Sequence, residues 1–288
     1  MHNLRAADGG FTLIEMITTL VILVIVSLGI SGFIRSSVQI FTDVTEREQL
    51  LGDSRFVIER MTRELRNALP SSIRVRGNAT VHCLQFVPID YSTFYIDAPI
   101  LPATDTELTV VAMGDINGNA YVPDTSATLA FIYPTRNADV YDATQGRRQS
   151  VTACEDDGAD SSCASLDDPD NISNISVSSA FATDAPADRV FFARTTHNYC
   201  VRNKAVYFHQ NALTLNQPLF TTGGALMAEN IINDLSVNPA LQTGSSDDPF
   251  RLFDASLLRN AYVQLRLRFN RNEEVINYNH EVHVANVP

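Results

Sequence analysis

Tryptophan is absent from the 288-residue chain, and Lys204 is its sole lysine. Acidic residues outnumber basic ones, 33 to 21, for a formal net charge of −12. Such a chain repels phosphate backbones, and it has no lysine tract to track them, so nucleic-acid binding is excluded. Cysteine is scarce, with four residues and no C-x-x-C pair. Zinc-ribbon and thioredoxin chemistry are therefore excluded. No G-x-S-x-G, H-E-x-x-H or P-loop occurs, and Ser, His and Asp show no triad spacing. The chain reads as a non-enzyme. His280 and His283 lie three apart in a strand-like stretch, where they face opposite sides and share no metal.

Long apolar runs are also scarce, but there is one. Phe11 to Ile34 is apolar throughout except for hydroxyls, glycines and Glu15. As a helix it spans about 36 Å, enough for a bilayer core of about 30 Å. It has no small-residue cleavage site behind it, as a secretory signal would. It runs instead into Gly32-Phe33-Ile34-Arg35. An unpaired carboxylate in lipid is costly. Glu15 therefore needs a partner.

The stretch Gly10-Phe11-Thr12-Leu13-Ile14-Glu15 resembles the processing site of type IV pilins and pseudopilins: a glycine, a hydrophobic residue, a glutamate four residues on, then an apolar run. The resemblance implies that a prepilin peptidase cuts between Gly10 and Phe11 and N-methylates Phe11. Cleavage creates a positive amine one helical turn from Glu15. In a filament, the amine of one subunit can meet the Glu15 carboxylate of a neighbour, which would make stacking register-specific; the alternative is that Glu15 neutralises its own amine, and the two roles can coexist. Two features depart from the pattern. The leader, residues 1–10, has Arg5 as its one fixed cation, offset by Asp8. Gly32 occupies a place where many major pilins carry a helix-kinking proline.

Beyond Arg35 the helical pattern continues to about Leu69. Val44, Leu51, Ile58 and Leu65 recur every seven residues, with Met61 and Ala68 beside them. Arg47 and Ser54 interrupt the stripe, which favours packing on a head over a coiled coil. Pro70 with Ser71-Ser72 ends the helix. The organisation expected is a leader at 1–10, a transmembrane and assembly helix at 11–34, an amphipathic stem at 35–70 and a β-rich head at 71–288. The fold class is α+β, a long helix on a mainly antiparallel sheet. Strands are expected at Ser72–Arg76, Val81–Val87, Leu108–Met113, Leu129–Tyr133, Arg189–Arg194, Asn198–Arg202, Ala205–His209, Tyr262–Phe269 and Val275–Val284. Residues 135–185, rich in Asp, Ser and Ala, read as a long polar insertion.

Charge is uneven. Residues 35–76 hold eight Arg against six Asp/Glu, whereas 77–288 hold 12 Lys/Arg against 25 Asp/Glu. The head is acidic, as a solvated surface would be. All four cysteines follow the apolar run, so an exported head would form two disulfides. Of three possible pairings, a local Cys154–Cys163 loop and a Cys83–Cys200 bridge between strand-like stretches are expected. "GDINGNAYVPD" places Asp115, Asn117 and Asn119 at alternating positions with Asp124 beyond. This is a candidate Ca²⁺ loop without the EF-hand glycine and terminal glutamate, and a hairpin turn at Asn117-Gly118 is the alternative. No other cofactor is expected.

Five further stretches narrow the resemblance: "RFVIERMTRELRNALPSSIRV" (55–75), "CLQFVPI" (83–89), "NYCV" (198–201), "LMAENI" (226–231) and "HEVHVANVP" (280–288). Together they resemble the minor pseudopilins of the mannose-sensitive haemagglutinin (MSHA) pilus. They are also similar to the J-type minor pseudopilins of type II secretion. The resemblance implies a single-pass protein of the bacterial inner membrane with a periplasmic head, which later joins a filament near its tip. Its implied partners are other minor pilins, the major pilin, the prepilin peptidase and the inner-membrane assembly platform. A tip adhesive module is the alternative role.

Overall fold

The computed structural model describes residues 12–111, 121–156, 172–239, 247–253, 261–272 and 274–284, with Asp156 described by backbone alone. Two compact units divide the chain, residues 1–51 and 52–288. A single helix, α1 (Leu13–Arg66), contributes to both. It runs unbroken through Gly29 and Gly32.

In the first unit the apolar run is exposed on every side, from Leu13 at 79% to Ile34 at 53%. A helix apolar all round needs lipid or other helices around it. In the second unit the same helix is amphipathic. Ser54, Val57, Ile58, Met61 and Leu65 are buried, while Asp53, Arg55, Glu59 and Arg63 are exposed. Of the sevenfold stripe expected from sequence, Ile58 and Leu65 are buried but Val44 is half exposed.

The helix stops at Arg66, three residues before the expected end. Residues 67–69 turn out and pair with the segment after a strand: Leu69 N–H donates to the Val87 carbonyl (2.8 Å) and Ile89 N–H to the Asn67 carbonyl (2.9 Å). Those bonds replace the helical ones, which is why Pro70 is not what ends α1.

The strands are β1 (Arg74–Asn78), β2 (Val81–Phe86), β3 (Tyr91–Asp97), β4 (Glu107–Val111), β5 (Leu129–Ile132), β6 (Arg148–Asp156), β7 (Ile172–Val177), β8 (Arg189–Ala193), β9 (Thr196–Arg202), β10 (Ala205–Asn211), β11 (Ala225–Glu229), β12 (Phe250–Phe253), β13 (Tyr262–Arg271) and β14 (Glu274–His283), with a short helix α2 (Asn137–Tyr141). They form a five-stranded sheet, β1-β2-β9-β10-β11, a three-stranded sheet, β12-β13-β14, and a closed barrel, β3-β4-β7-β6-β5-β8. Pairing between strands is antiparallel throughout. The fold is therefore α+β, a long helix and a mainly antiparallel head.

The barrel corrects one expectation. Residues 135–185 are not simply a polar excursion, because β6 and β7 close the barrel. Their composition is polar, but β7 alternates, with Ile175 and Val177 buried in the barrel interior beside Leu108, Val110 and Phe192. Closing the barrel removes exposed sheet edges. Strands β5 and β8 are apolar on both faces. Ala130, Ile132, Val190 and Phe192 point into the barrel. Phe131, Phe191 and Ala193 point out, against Leu69, Val87 and Tyr141.

In the five-stranded sheet, β9 and β10 are joined by Asn203-Lys204, both at positive φ (49° and 59°), the geometry of a tight hairpin turn. Arg60 of α1 lies over the Phe208 ring of β10 at 4.8 Å, which places the helix on this sheet. Ser54 bonds the Tyr278 hydroxyl of β14 at 3.0 Å.

Candidate functional site: the N-terminal helix

Thr12 opens α1. Its carbonyl accepts the N–H groups of Glu15 (3.1 Å) and Met16 (3.2 Å). The hydroxyls of Thr18 and Thr19 donate back to the Glu15 and Met16 carbonyls, at 3.0 and 2.9 Å. Each hydroxyl is thereby satisfied inside the helix, so these threonines enter an apolar medium without an unpaired donor.

Glu15 is different. It lies in the first turn, where free backbone N–H groups favour a carboxylate. Among the described residues no cation pairs with it, and its neighbours Leu13, Ile14, Met16 and Ile17 are all exposed and apolar. One anion thus stands in an otherwise uncharged run that ends at Arg35. Gly10 and Phe11, the expected cleavage and methylation positions, lie outside the described residues.

Residues 5–31 match the prokaryotic N-terminal methylation motif. No curated protein and no solved structure matches the chain. The motif and the long apolar helix behind it indicate a type IV pilin-like protein, and that helix is long and apolar enough to cross a membrane. The motif implies processing by a prepilin peptidase and assembly with other pilins into a pilus or pseudopilus.

Elsewhere the expected residues separate. Cys83 and Cys200 are directly opposite on β2 and β9 and are joined by a disulfide. Cys154, on β6, is also disulfide-bonded, while Cys163 lies outside the described residues. Asp115, Asn117 and Asn119 lie outside them too. Asp124 is described, and its carboxylate accepts the N–H and hydroxyl of Ser126 at 2.9 and 2.6 Å. It thereby closes a local turn, and those bonds lower its pKa. His280 shares the inward face of β14 with Tyr278 and Val282, and His283 lies on the other face.

A polar cluster inside the head was not legible in the sequence. Glu64 of α1 receives the Arg60 guanidinium at 2.8 Å and the His197 ring Nδ1 at 2.9 Å. Burial pushes the Glu64 carboxyl up, but the hydrogen bonds from His197 and Arg60 outweigh it and hold its pKa at about 2. The cluster ties helix to sheet. Arg60 and Glu64 are four apart, a spacing visible in sequence, but His197 is 133 residues away.

Proposed function

We propose that this protein is a minor pilin-like subunit that primes or caps a type IV filament of the MSHA kind, in the role of the biogenesis protein MshO. It acts as a structural subunit rather than an enzyme. The observation that carries the reading is Glu15, a carboxylate with no cation partner among the described residues, in the first turn of an exposed apolar helical run and inside a methylation motif.

The chemistry follows from charge. Processing after Gly10 frees a cationic amine at Phe11. That amine neutralises the Glu15 of an adjacent subunit, and the desolvation cost of each charge is relieved only when the two meet. Helices that stack out of register leave both charges unpaired in lipid. Assembly is thus selected by position and not only by apolar contact.

The head supports a low-copy place. It holds a six-stranded barrel in addition to two sheets. Such bulk crowds a tightly wound shaft and is accommodated where subunits are few, at the tip. The head then faces the periplasm during assembly and other minor subunits in the filament. Disulfide bonding in the head suits an oxidising compartment.

Glu15→Ala tests the reading. The variant is expected to insert in the membrane and fold its head normally, yet leave cells with few filaments when counted by electron microscopy. Wild-type filament numbers in a strain carrying this variant alone would refute it.

A further inference from the structure

The chain passes between barrel and five-stranded sheet at two places. One is the segment 87–90 from β2 to β3, and the other is Arg194-Thr195 from β8 to β9. The Arg194 Nε donates to the Asp90 carboxylate at 2.7 Å and staples the two crossings together. Beside this staple lie two adjoining cavities of about 610 and 300 Å³, which share Ala127, Arg194, Thr195 and Gln210 in their walls. Crevices at the junction of two packed modules are common ligand sites.

The larger cavity also takes in Arg148 of β6. Arg148 is half-buried, and its Nη1 donates to the Val140 carbonyl at 2.9 Å. Among the described residues no carboxylate touches it. Burial pushes its guanidinium pKa down, with Asp142 offsetting part of that. Arg194 has used its Nε on Asp90, and among the described residues no group accepts from its terminal nitrogens. Two guanidinium groups therefore face one cavity in a head whose net charge is strongly negative.

Acceptors line the same crevice. His197 gives its Nδ1 to Glu64, so Nε2 remains for a ligand. Gln210 donates its amide to Thr195 at 2.9 Å and keeps its carbonyl oxygen. The Asp124 carboxylate holds Ser126 through Oδ1 and leaves Oδ2. A ligand that suits this wall carries an anionic group for the arginines and several hydroxyls for the acceptors. An aliphatic acid supplies the first alone, and a neutral sugar the second alone.

We propose that the crevice between barrel and sheet is a binding site for a carboxylated saccharide, its carboxylate on Arg148 and Arg194 and its hydroxyls on His197, Gln210 and Asp124. The site is independent of the assembly role of Glu15.

Calorimetric titration of the full chain in nanodiscs tests it, with trigalacturonate, the neutral galactose trimer and citrate as probes. Trigalacturonate is expected to bind, and the other two to bind at least about tenfold more weakly, as loss of charge-assisted or hydroxyl contacts dictates. Arg148→Gln should weaken trigalacturonate binding by about tenfold or more. Because Arg148 also bonds Val140, Gln210→Ala, at an exposed position, provides a second reading. It should keep the wild-type melting temperature and still lose affinity. No binding of trigalacturonate would overturn the proposal. So would equal binding of citrate or the neutral trimer, or wild-type affinity in both variants.

Discussion

Glu15 and Glu64 lie 49 positions apart on one helix and are held in opposite ways. Glu64 is paired within the head by Arg60 and His197. Glu15 has no cation among the described residues. In the proposed role its partner is the amine that processing frees on a neighbouring subunit. Glu64 makes a stability prediction with a definite sign. Its folded pKa, about 2, lies below the ordinary glutamate value of 4.5. Its stabilisation is therefore complete above about pH 4.5 and is lost as pH falls toward 2. The side chain is 19% exposed, so the whole effect is on the order of 2–3 kcal/mol at most. Glu64→Gln should lower the melting temperature at pH 7 and flatten its fall between pH 4.5 and 2. Melting curves that fall in parallel for both proteins across that window would contradict the pairing. The Glu64 partner on β9 was beyond sequence reasoning, since no local spacing links it to the helix.

Elements show where sequence reading stops. Nine strands were legible, because each is a short run of β-branched and aromatic residues with alternation or full burial. β13 is the clearest, with Val263, Leu265, Leu267 and Phe269 all buried. The strands β3, β6, β7, β11 and β12 were not. Strand β3 has only alternate residues buried, and β7 reads "ISNISV", where serine and asparagine hide the apolar period. Its burial is decided by neighbours far along the chain. Ile175→Asp places an unpaired charge inside the barrel and should cost more than about 3 kcal/mol, abolishing the cooperative thermal transition of the head. A silent substitution there would mean that 172–177 is no part of a core.

A second element-scale prediction concerns the β1–β2 hairpin. Gly77 is paired with His82, and a Cβ at 77 would lie 2.3 Å from the His82 ring and 2.9 Å from the Val81 carbonyl. The ring is fully buried, with Nε2 2.8 Å from the Ser236 carbonyl, and has no room to swing. Gly77→Ala should destabilise the head by about 1–3 kcal/mol in denaturant unfolding. Adding His82→Ala should recover part of that loss, whereas strictly additive losses would rule out the steric account.

At the scale of the molecule, two physical demands are separated along the chain. The N-terminal unit exposes an apolar helix and cannot be satisfied alone in water. The second unit buries its own core in a barrel and two sheets. The division was legible because its signal, a long unbroken apolar run, depends on no distant partner. The motif at residues 5–31 was legible for the same reason. The barrel and the crevice beside it were not, since both arise from pairings between segments far apart in the chain. In the proposed role, processing turns Glu15, which has no cation partner among the described residues, into half of an ion pair. Mass spectrometry of the protein taken from assembled filaments is the most direct test. The account predicts a first residue of N-methylated Phe11, and a chain that still carries Gly10 ahead of it in those filaments would contradict it.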